Sequence, residues 1–279
     1  MISFFEDIFK YEKFPTEYEC YKTLTGLSNY VAVPWTQILN SHWLRFPGNK
    51  GRDYFLKEIS KYKICAENNF TVCQHDSFKQ LELYFNHLNI TKVFCTLHSV
   101  NDTMQGIDLI PIPFAFNDIF ENNIKKDILV SFVGAYTTHP IRGILKNNII
   151  GDTFIYRDAY HVEDLNQNKE KEEREYKDML ERSIFSLCPR GSSPSAVRFW
   201  ECLSAGTIPI LMSDEWALPD WDWDSTIVRI PEQEVSDLDN NKLNNLLSSL
   251  DHVAMREKCL QAYNKFSKYK FREYIQDNL

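Results

Sequence analysis

The chain has 279 residues, 43% of them hydrophobic and 14% aromatic, enough to fill one large core or two of ordinary size. Its 39 acidic residues outnumber 31 basic ones, for a formal net charge of −8 without any long basic run. That balance argues against a nucleic-acid partner held by massed phosphate neutralisation.

The seven cysteines form no CxxC pair, and the odd count fits buried free thiols in a reducing compartment. The opening "MISFFEDIFKYEKF" is acidic where a secretory signal is basic, and no apolar run approaches the roughly 18 residues of a membrane span. These features predict a cytoplasmic protein with at most peripheral membrane association. In chain order, "NYVAV" (29–33) reads as a strand, "GRDYFLKEISKY" (51–62) as a helix and "NFTVCQ" (69–74) as a strand. "SFKQLELYFNHL" (77–88) then reads as a helix and "KVFCTLHS" (92–99) as a strand. "IDLIPIPFAF" (107–116) carries Pro111 and Pro113, which cannot continue a helix, and reads as a crossing between domains.

The alternation restarts with strand "DILVSFVGAY" (127–136), ending at Gly134, a helix over about 138–147, and strand "DTFIYRD" (152–158). The charged segment 163–183 is either a partner-binding helix or a solvated lid with Tyr176, Met179 and Leu180 inward. Strand "IFSLCP" (184–189), a helix over 194–204, strand "TIPILMS" (207–213) and a helical stretch over 242–279 complete the chain. Strands alternating with helices predict an α/β fold with parallel sheets. The expected division is an N-terminal domain 1–113, a C-terminal domain 114–265, and a helical tail 266–279 placed to pack back on the first domain.

"CPRGSSPSAVRFWE" (188–201) joins a strand to a helix through a Gly-Ser turn. Ser193 is a good N-cap type and Pro194 suits a first helical turn, so the helix is predicted to begin there, with Gly206 ending it. In a parallel α/β sheet such a turn lies at the carboxyl end of a strand, where ligands bind. The exposed N–H groups of the first turn and the helix dipole favour an anion, and Arg190 and Arg198 add fork-shaped cationic contacts. Glu201 falls seven residues beyond Pro194, about 10 Å along the axis. A phosphate at one end and an acceptor-only carboxylate at the other suit the diphosphate and ribose of a nucleotide. The plainer alternative is an Arg198–Glu201 surface pair with Ser193 as a simple cap.

The run "SIFSLCPRGSSPSAVRFWECLSAGTIPILMSDEWALPDWDW" resembles the exostosin family of glycosyltransferases. Carrying the likeness are the Phe-x-Leu-Cys-Pro-Arg-Gly turn, the Ser-x-Arg helix with its Glu, the Gly-x-Ile-Pro-Ile strand and the Asp-x-x-x-Leu-Pro segment. Upstream, "DILVSFVGAYTTHPIRGIL" is similar to the family's Phe-x-Gly segment followed by Arg, so the resemblance spans roughly residues 127–224. In the first half only "CQHD" resembles a His-Asp stretch of the family. The resemblance implies a GT-B-like fold, two Rossmann-like domains facing across a cleft, with nucleotide sugar in the C-terminal half and acceptor in the N-terminal half. It also implies that Glu201 holds ribose and that Arg142, Arg190, Ser192 and Arg198 lie near the diphosphate. His139 and Arg142, at the start of a second helix, offer another place for an anion.

Glycosyl transfer needs a stabilised leaving diphosphate and a base for the acceptor hydroxyl. With no metal site expected, arginines and helix N-termini must carry the leaving charge. Base candidates at strand ends in the first half are His75, Asp76 and His98. Each has a plainer reading, as a satisfied structural histidine or a cap of the helix 77–88. Trp35 and Trp43 either stack on an acceptor sugar or fill the core. "PDWDWD" (219–224) holds Asp-x-Asp pairs of the kind that bind a divalent metal in another glycosyltransferase fold. Here the stretch follows Leu218-Pro219 in register with the exostosin pattern, which favours a buried tryptophan face. Asp214, at the end of strand 207–213, is a further candidate for contact with the sugar donor.

The resemblance thus implies an inverting, metal-independent glycosyltransferase with no tightly bound cofactor. Its donor would be a UDP-sugar and its acceptor an oligosaccharide or glycolipid of a surface glycan. Two alternatives remain: a nucleotide-sugar or glycan-binding protein that keeps the fold without turnover, and a phosphoryl or pyruvyl transferase on a similar fold.

Overall fold

The computed structural model describes residues 1–4, 15–40, 52–62, 66–116, 124–158 and 169–279; Trp43 and Cys65 lie outside them. The chain forms two units, one of residues 1–116, 216–219 and 265–279, the other of residues 117–215 and 220–264.

The first unit contains β1 (Ile2–Ser3), α1 (Pro15–Thr23), β2 (Val31–Ala32), α2 (Trp35–Leu39), α3 (Arg52–Ile59), β3 (Asn69–Cys73), α4 (Glu82–His87), β4 (Ile90–Cys95) and β5 (Asp108–Pro111). Strands β3, β4 and β5 form a parallel sheet in that order, with Val72 opposite Phe94 and Phe94 opposite Ile110. Strand β4 starts earlier than the sequence suggests, because Asn89 adopts a left-handed φ of 51° and turns the chain straight from α4 into it. The proline-bearing segment is extended, as the sequence suggests, and the first unit's main stretch ends with it at Phe116. It supplies β5 at the sheet edge, where the missing N–H of Pro111 removes no interior ladder bond. Trp35 is fully buried, its indole N–H donating to the Thr71 hydroxyl at 2.9 Å, so it fills the core and is closed to a sugar.

Helices α1 and α2 escape the sequence reading, and one buried carboxylate joins them. Glu17 accepts the Thr36 hydroxyl at 2.6 Å, the Gln74 N–H at 2.9 Å and the Thr36 N–H at 3.2 Å, tying α1 to α2 and to the end of β3. Burial pushes its carboxyl up from an ordinary 4.5 to about 7, with the Thr36 and Gln74 hydrogen bonds opposing. The folded state therefore binds this proton more tightly than the unfolded chain. Stability from Glu17 is expected to fall as pH rises from 4.5 to about 7, by up to about 1.4 kcal/mol per pH unit. In a denaturation series over that window, Glu17→Gln should flatten the slope; an unchanged slope would contradict the assignment.

The second unit contains β6 (Ile128–Ala135), α5 (Pro140–Asn148), β7 (Phe154–Arg157), α6 (Lys169–Arg182), β8 (Ser183–Pro189), α7 (Val197–Ser204), β9 (Ile208–Met212), β10 (Val228–Arg229), α8 (Asn240–Ser248) and most of α9 (His252–Phe266). The last helix, α10 (Phe271–Asp277), belongs to the first unit, where Phe271 and Ile275 are buried beside Phe70 and Phe94. Among the described residues, five strands of the second unit form an all-parallel sheet in the order β10-β9-β8-β6-β7. Its middle strands are nearly continuous apolar runs, as expected where both faces of a parallel sheet are covered. From β6 the chain moves to β7 on one side and then to β8 on the other. Strand order therefore reverses between β6 and β8, the place where an open parallel sheet leaves a crevice.

Helix α7 buries Phe199, Trp200, Cys202 and Leu203, and Trp223 meets the Phe199 and Trp200 rings at 5.4 and 6.2 Å. Trp223 thus supplies the buried face of "PDWDWD", while Asp220, Asp222 and Asp224 are exposed and Asp222 is paired with Lys258 at 2.9 Å. Among the described residues, no three His, Cys, Asp or Glu side chains group to hold a metal ion. No helix among them is long and apolar enough to cross a membrane.

Candidate nucleotide site

A cavity of about 600 Å³ opens at the crevice between β6 and β8. Val133, Gly134 and Ala135 form its edge at the end of β6, and Gly191 and Ser192 follow β8. Ser195, Ala196, Val197, Arg198 and Glu201 line it from the turn and α7, and Tyr176, Glu172 and Glu173 from α6.

The helix that faces the cavity begins later than predicted. Ala196 is the N-cap, extended at φ −143° and ψ 134°, and gives no side-chain cap. Ser193 and Pro194 precede the helix because the Pro194 carbonyl accepts the Ser213 hydroxyl at 2.7 Å, which holds this stretch as a loop. Glu201 therefore lies four residues past the first helical residue Val197, about 6 Å along the axis and one turn in. At the other end Gly206, at φ +58°, closes the helix as expected, its N–H reaching the Leu203 carbonyl at 3.2 Å.

Glu201 is half-buried on the cavity wall, and its Oε2 accepts the Tyr176 hydroxyl. Burial pushes the Glu201 carboxyl up, while the Tyr176 hydrogen bond and the Arg198 charge pull it down. Arg198 lies over the Phe132 ring at 4.5 Å and the Tyr176 ring at 5.6 Å, and donates to the Val133 carbonyl. Gly134 leaves space for it, since a Cβ there would stand 2.6 Å from Arg198 Nη2. The Thr138 and Ser195 hydroxyls, both from cavity-lining residues, are buried without a hydrogen-bond partner among the described residues. Buried polar atoms in that condition call for an explanation, and a polar ligand supplies one.

Arg142 also lines the cavity, but its guanidinium is spent on the protein. It donates to the carbonyls of Arg190 at 2.8 Å, Pro189 at 2.9 Å and Ala135 at 3.0 Å, clamping the ends of β6 and β8 together. Arg190 does not line the cavity; its Nη1 lies 3.5 Å from Glu232 and 3.6 Å from Glu215. Asp214 pairs with the same loop, its carboxylate accepting the Glu232 N–H at 3.1 Å. His139 caps α5, its Nδ1 accepting the Ile141 N–H at 3.4 Å, and burial together with the Arg190 charge lowers its pKa. Of the predicted nucleotide contacts, the cavity thus gathers Arg142, Ser192, Arg198 and Glu201, while Arg190, Ser193, His139 and Asp214 stand outside its lining.

In the first unit, His75 and Asp76 follow β3 and His98 follows β4, all at the carboxyl edge of the sheet. The His75 Nδ1 accepts the Ser77 N–H at 2.9 Å and Nε2 faces Asn40 Oδ1 at 3.2 Å, so both ring nitrogens are engaged. Asp76 is exposed and accepts the Ser77 hydroxyl at 3.0 Å. His98 is buried, and its Nδ1 has no hydrogen-bond partner among the described residues. Burial lowers its pKa, opposed by the Cys95 backbone and Asp102.

The family model for the exostosin GT47 domain matches residues 41–246, most of the chain. The chain belongs to the exostosin GT47 family. The match reaches further into the first half than the motif run alone indicates. Among relatives, the chain is 31% identical over 105 residues to an exostosin-1 homolog of Caenorhabditis elegans, covering 37% of this chain and 26% of that protein. To exostosin-1 of Drosophila melanogaster it is 44% identical over 52 residues, covering 19% of this chain and 7% of that protein. It therefore spans about a quarter or less of the length of these relatives. Among solved structures, the pneumococcal O-GlcNAc transferase GtfA in complex with UDP and GlcNAc is similar at a TM-score of 0.39 and 13% identity, over 81% of this chain and 46% of that one. A DNA-modifying β-glucosyltransferase is similar at a TM-score of 0.40 and 13% identity, over 82% of this chain and 79% of that one.

Four residues that line the cavity, Arg142, Ser192, Arg198 and Glu201, are ones the sequence singles out. Sequence reasoning places Tyr176 on the inner face of its helix but not against Glu201, and it misses Thr138 and Ser195. For those two the only signal is the density of hydroxyl residues in "YTTHP" and "RGSSPS".

Proposed function

We propose that this exostosin GT47 chain is a glycosyltransferase whose second unit binds a nucleoside-diphosphate sugar in the cavity between β6 and β8. One observation carries the reading: at the strand-order reversal, a carboxylate and the start of a helix share one cavity with two buried, unsatisfied hydroxyls. The diphosphate is assigned to the 191–198 turn, where the main-chain N–H groups, Ser192, Ser195 and Arg198 meet the helix N-terminus. The ribose is assigned to Glu201, an acceptor suited to hydroxyl donors. UDP is the expected nucleotide, transfer is inverting and metal-independent, and the acceptor is an oligosaccharide or glycolipid. Cytoplasmic residence is part of the proposal, supported by six buried free cysteines among the described residues.

The proton acceptor is assigned to the first unit. His98 is favoured on hydrogen bonding, since burial lowers its pKa and its buried Nδ1 has no partner among the described residues, whereas His75 uses both nitrogens. The acceptor hydroxyl would have to displace the packing that covers that Nδ1. A second reading, a nucleotide-sugar or glycan-binding protein without turnover, draws support from that engagement of His75. Calorimetry with UDP, paired with an assay for donor hydrolysis, separates the two. The transferase reading expects binding with turnover; binding with no turnover toward any acceptor supports the second reading. Glu201→Ala is expected to weaken UDP binding by about 1–3 kcal/mol, the scale of a hydrogen bond to a charged group. Unchanged affinity in a folded variant would reject the ribose assignment.

A further inference from the structure

Glu201 does not meet the cavity as a bare carboxylate. Its Oε2 accepts the Tyr176 hydroxyl from the neighbouring helix α6, and among the described residues no protein donor is bonded to Oε1. Tyr176 is itself held in place: its ring packs against buried Leu180, Cys188, Cys202 and Ala205, and the Arg198 guanidinium lies 5.6 Å from its centroid. The phenol oxygen therefore occupies a position set by the α6–α7 packing. A carboxylate fixed in this way presents Oε1 with its acceptor sites open and Oε2 with one site already taken, both in one orientation, whereas a free carboxylate would rotate and present the two alike.

We propose that Tyr176 is a positioning residue for the nucleoside: by holding Oε2 of Glu201 it leaves Oε1 to accept a single ribose hydroxyl, so that the site tells the 2′-hydroxyl from the 3′-hydroxyl. This rests on the nucleoside-diphosphate reading of the cavity. The hydroxyl that meets Oε1 gains a charge-assisted hydrogen bond to an oxygen with no competing protein donor among the described residues. The other can reach only Oε2, which already accepts the phenol hydroxyl, so its bond is the weaker of the two and its removal costs less. Without the phenol oxygen the carboxylate is free to turn, and either hydroxyl is accepted with poorer order.

The test is calorimetric titration of the full chain with UDP, 2′-deoxy-UDP and 3′-deoxy-UDP, using the native protein, Tyr176→Phe and Glu201→Ala. The native protein is expected to bind one deoxy analogue about tenfold or more weaker than UDP and the other within about threefold. Tyr176→Phe removes one oxygen and keeps the ring that packs. It should bind UDP about tenfold more weakly and discriminate between the two analogues by less than about threefold. A loss of packing alone would weaken all three ligands together and leave their ratio unchanged, so native discrimination retained in Tyr176→Phe overturns the proposal. Equal loss on both analogues in the native protein overturns it as well. Should Glu201→Ala bind UDP as the native protein does, the ribose assignment itself falls; should Glu201→Ala weaken UDP while Tyr176→Phe changes nothing, only the role of Tyr176 falls.

Discussion

His98→Ala is expected to lower turnover of the accepted donor by about 10²–10⁴-fold, the usual worth of a positioned general base. His98 stands at the carboxyl edge of the first unit's sheet, and its Nδ1, though buried, is hydrogen-bonded to no protein group among the described residues. Burial lowers its pKa below the ordinary 6.5, so the neutral, proton-accepting form persists at pH 7 and somewhat below. The acid limb of a rate–pH profile should therefore lie under 6.5 in the native protein and vanish in the variant. UDP released from the donor that best raises thermal stability gives the rate, since binding to the folded state shifts the melting point by mass action. A rate within about threefold of native would move the role to His75 or Asp76.

Arg142→Ala is expected to destabilise the second unit by roughly 3–6 kcal/mol, because each hydrogen bond from a charged group to a buried partner is worth about 1.5–3 kcal/mol and the losses overlap. Three carbonyls at the ends of β6 and β8 lose their donor together, on the strands that border the cavity. Arg142→Lys should recover only part of the loss, as a single ammonium cannot fork to all three oxygens. Urea denaturation followed by far-UV circular dichroism measures the effect. The sequence suggests a different role, with Arg142 beside the diphosphate. That role predicts native stability with weakened UDP binding, so the two accounts give opposite results from one variant.

What the sequence made legible follows the range of the forces involved. Apolar runs such as "VSFVGA" and "FSLCP" and the turn at Gly206 are local signals, and they locate β6, β8 and the end of α7. The strand order, with β6 between β8 and β7, comes from long-range pairing and has no local signature. Helix α1 leaves no apolar period in the sequence, because its buried side includes the polar Thr16 and Glu17. The start of α7 lies later than its local signal, because Ser193-Pro194 is a sound start overruled by a tertiary hydrogen bond from Ser213. Charge was legible but direction was not. Arg142 and Arg190 read alike as cations near an anion, yet one clamps three carbonyls and the other faces Glu215 and Glu232. Tyr176 shows the same limit: helical spacing turned it inward, but its meeting with Glu201, 25 residues on, depends on how α6 packs against α7.

The most direct measurement is a crystal structure of the chain soaked with UDP. The account predicts the diphosphate at the 191–198 turn, with hydrogen bonds from its main-chain N–H groups and Arg198, and one ribose hydroxyl donating to Oε1 of Glu201. UDP bound elsewhere, or seated in this cavity with its ribose turned away from Glu201, would contradict it.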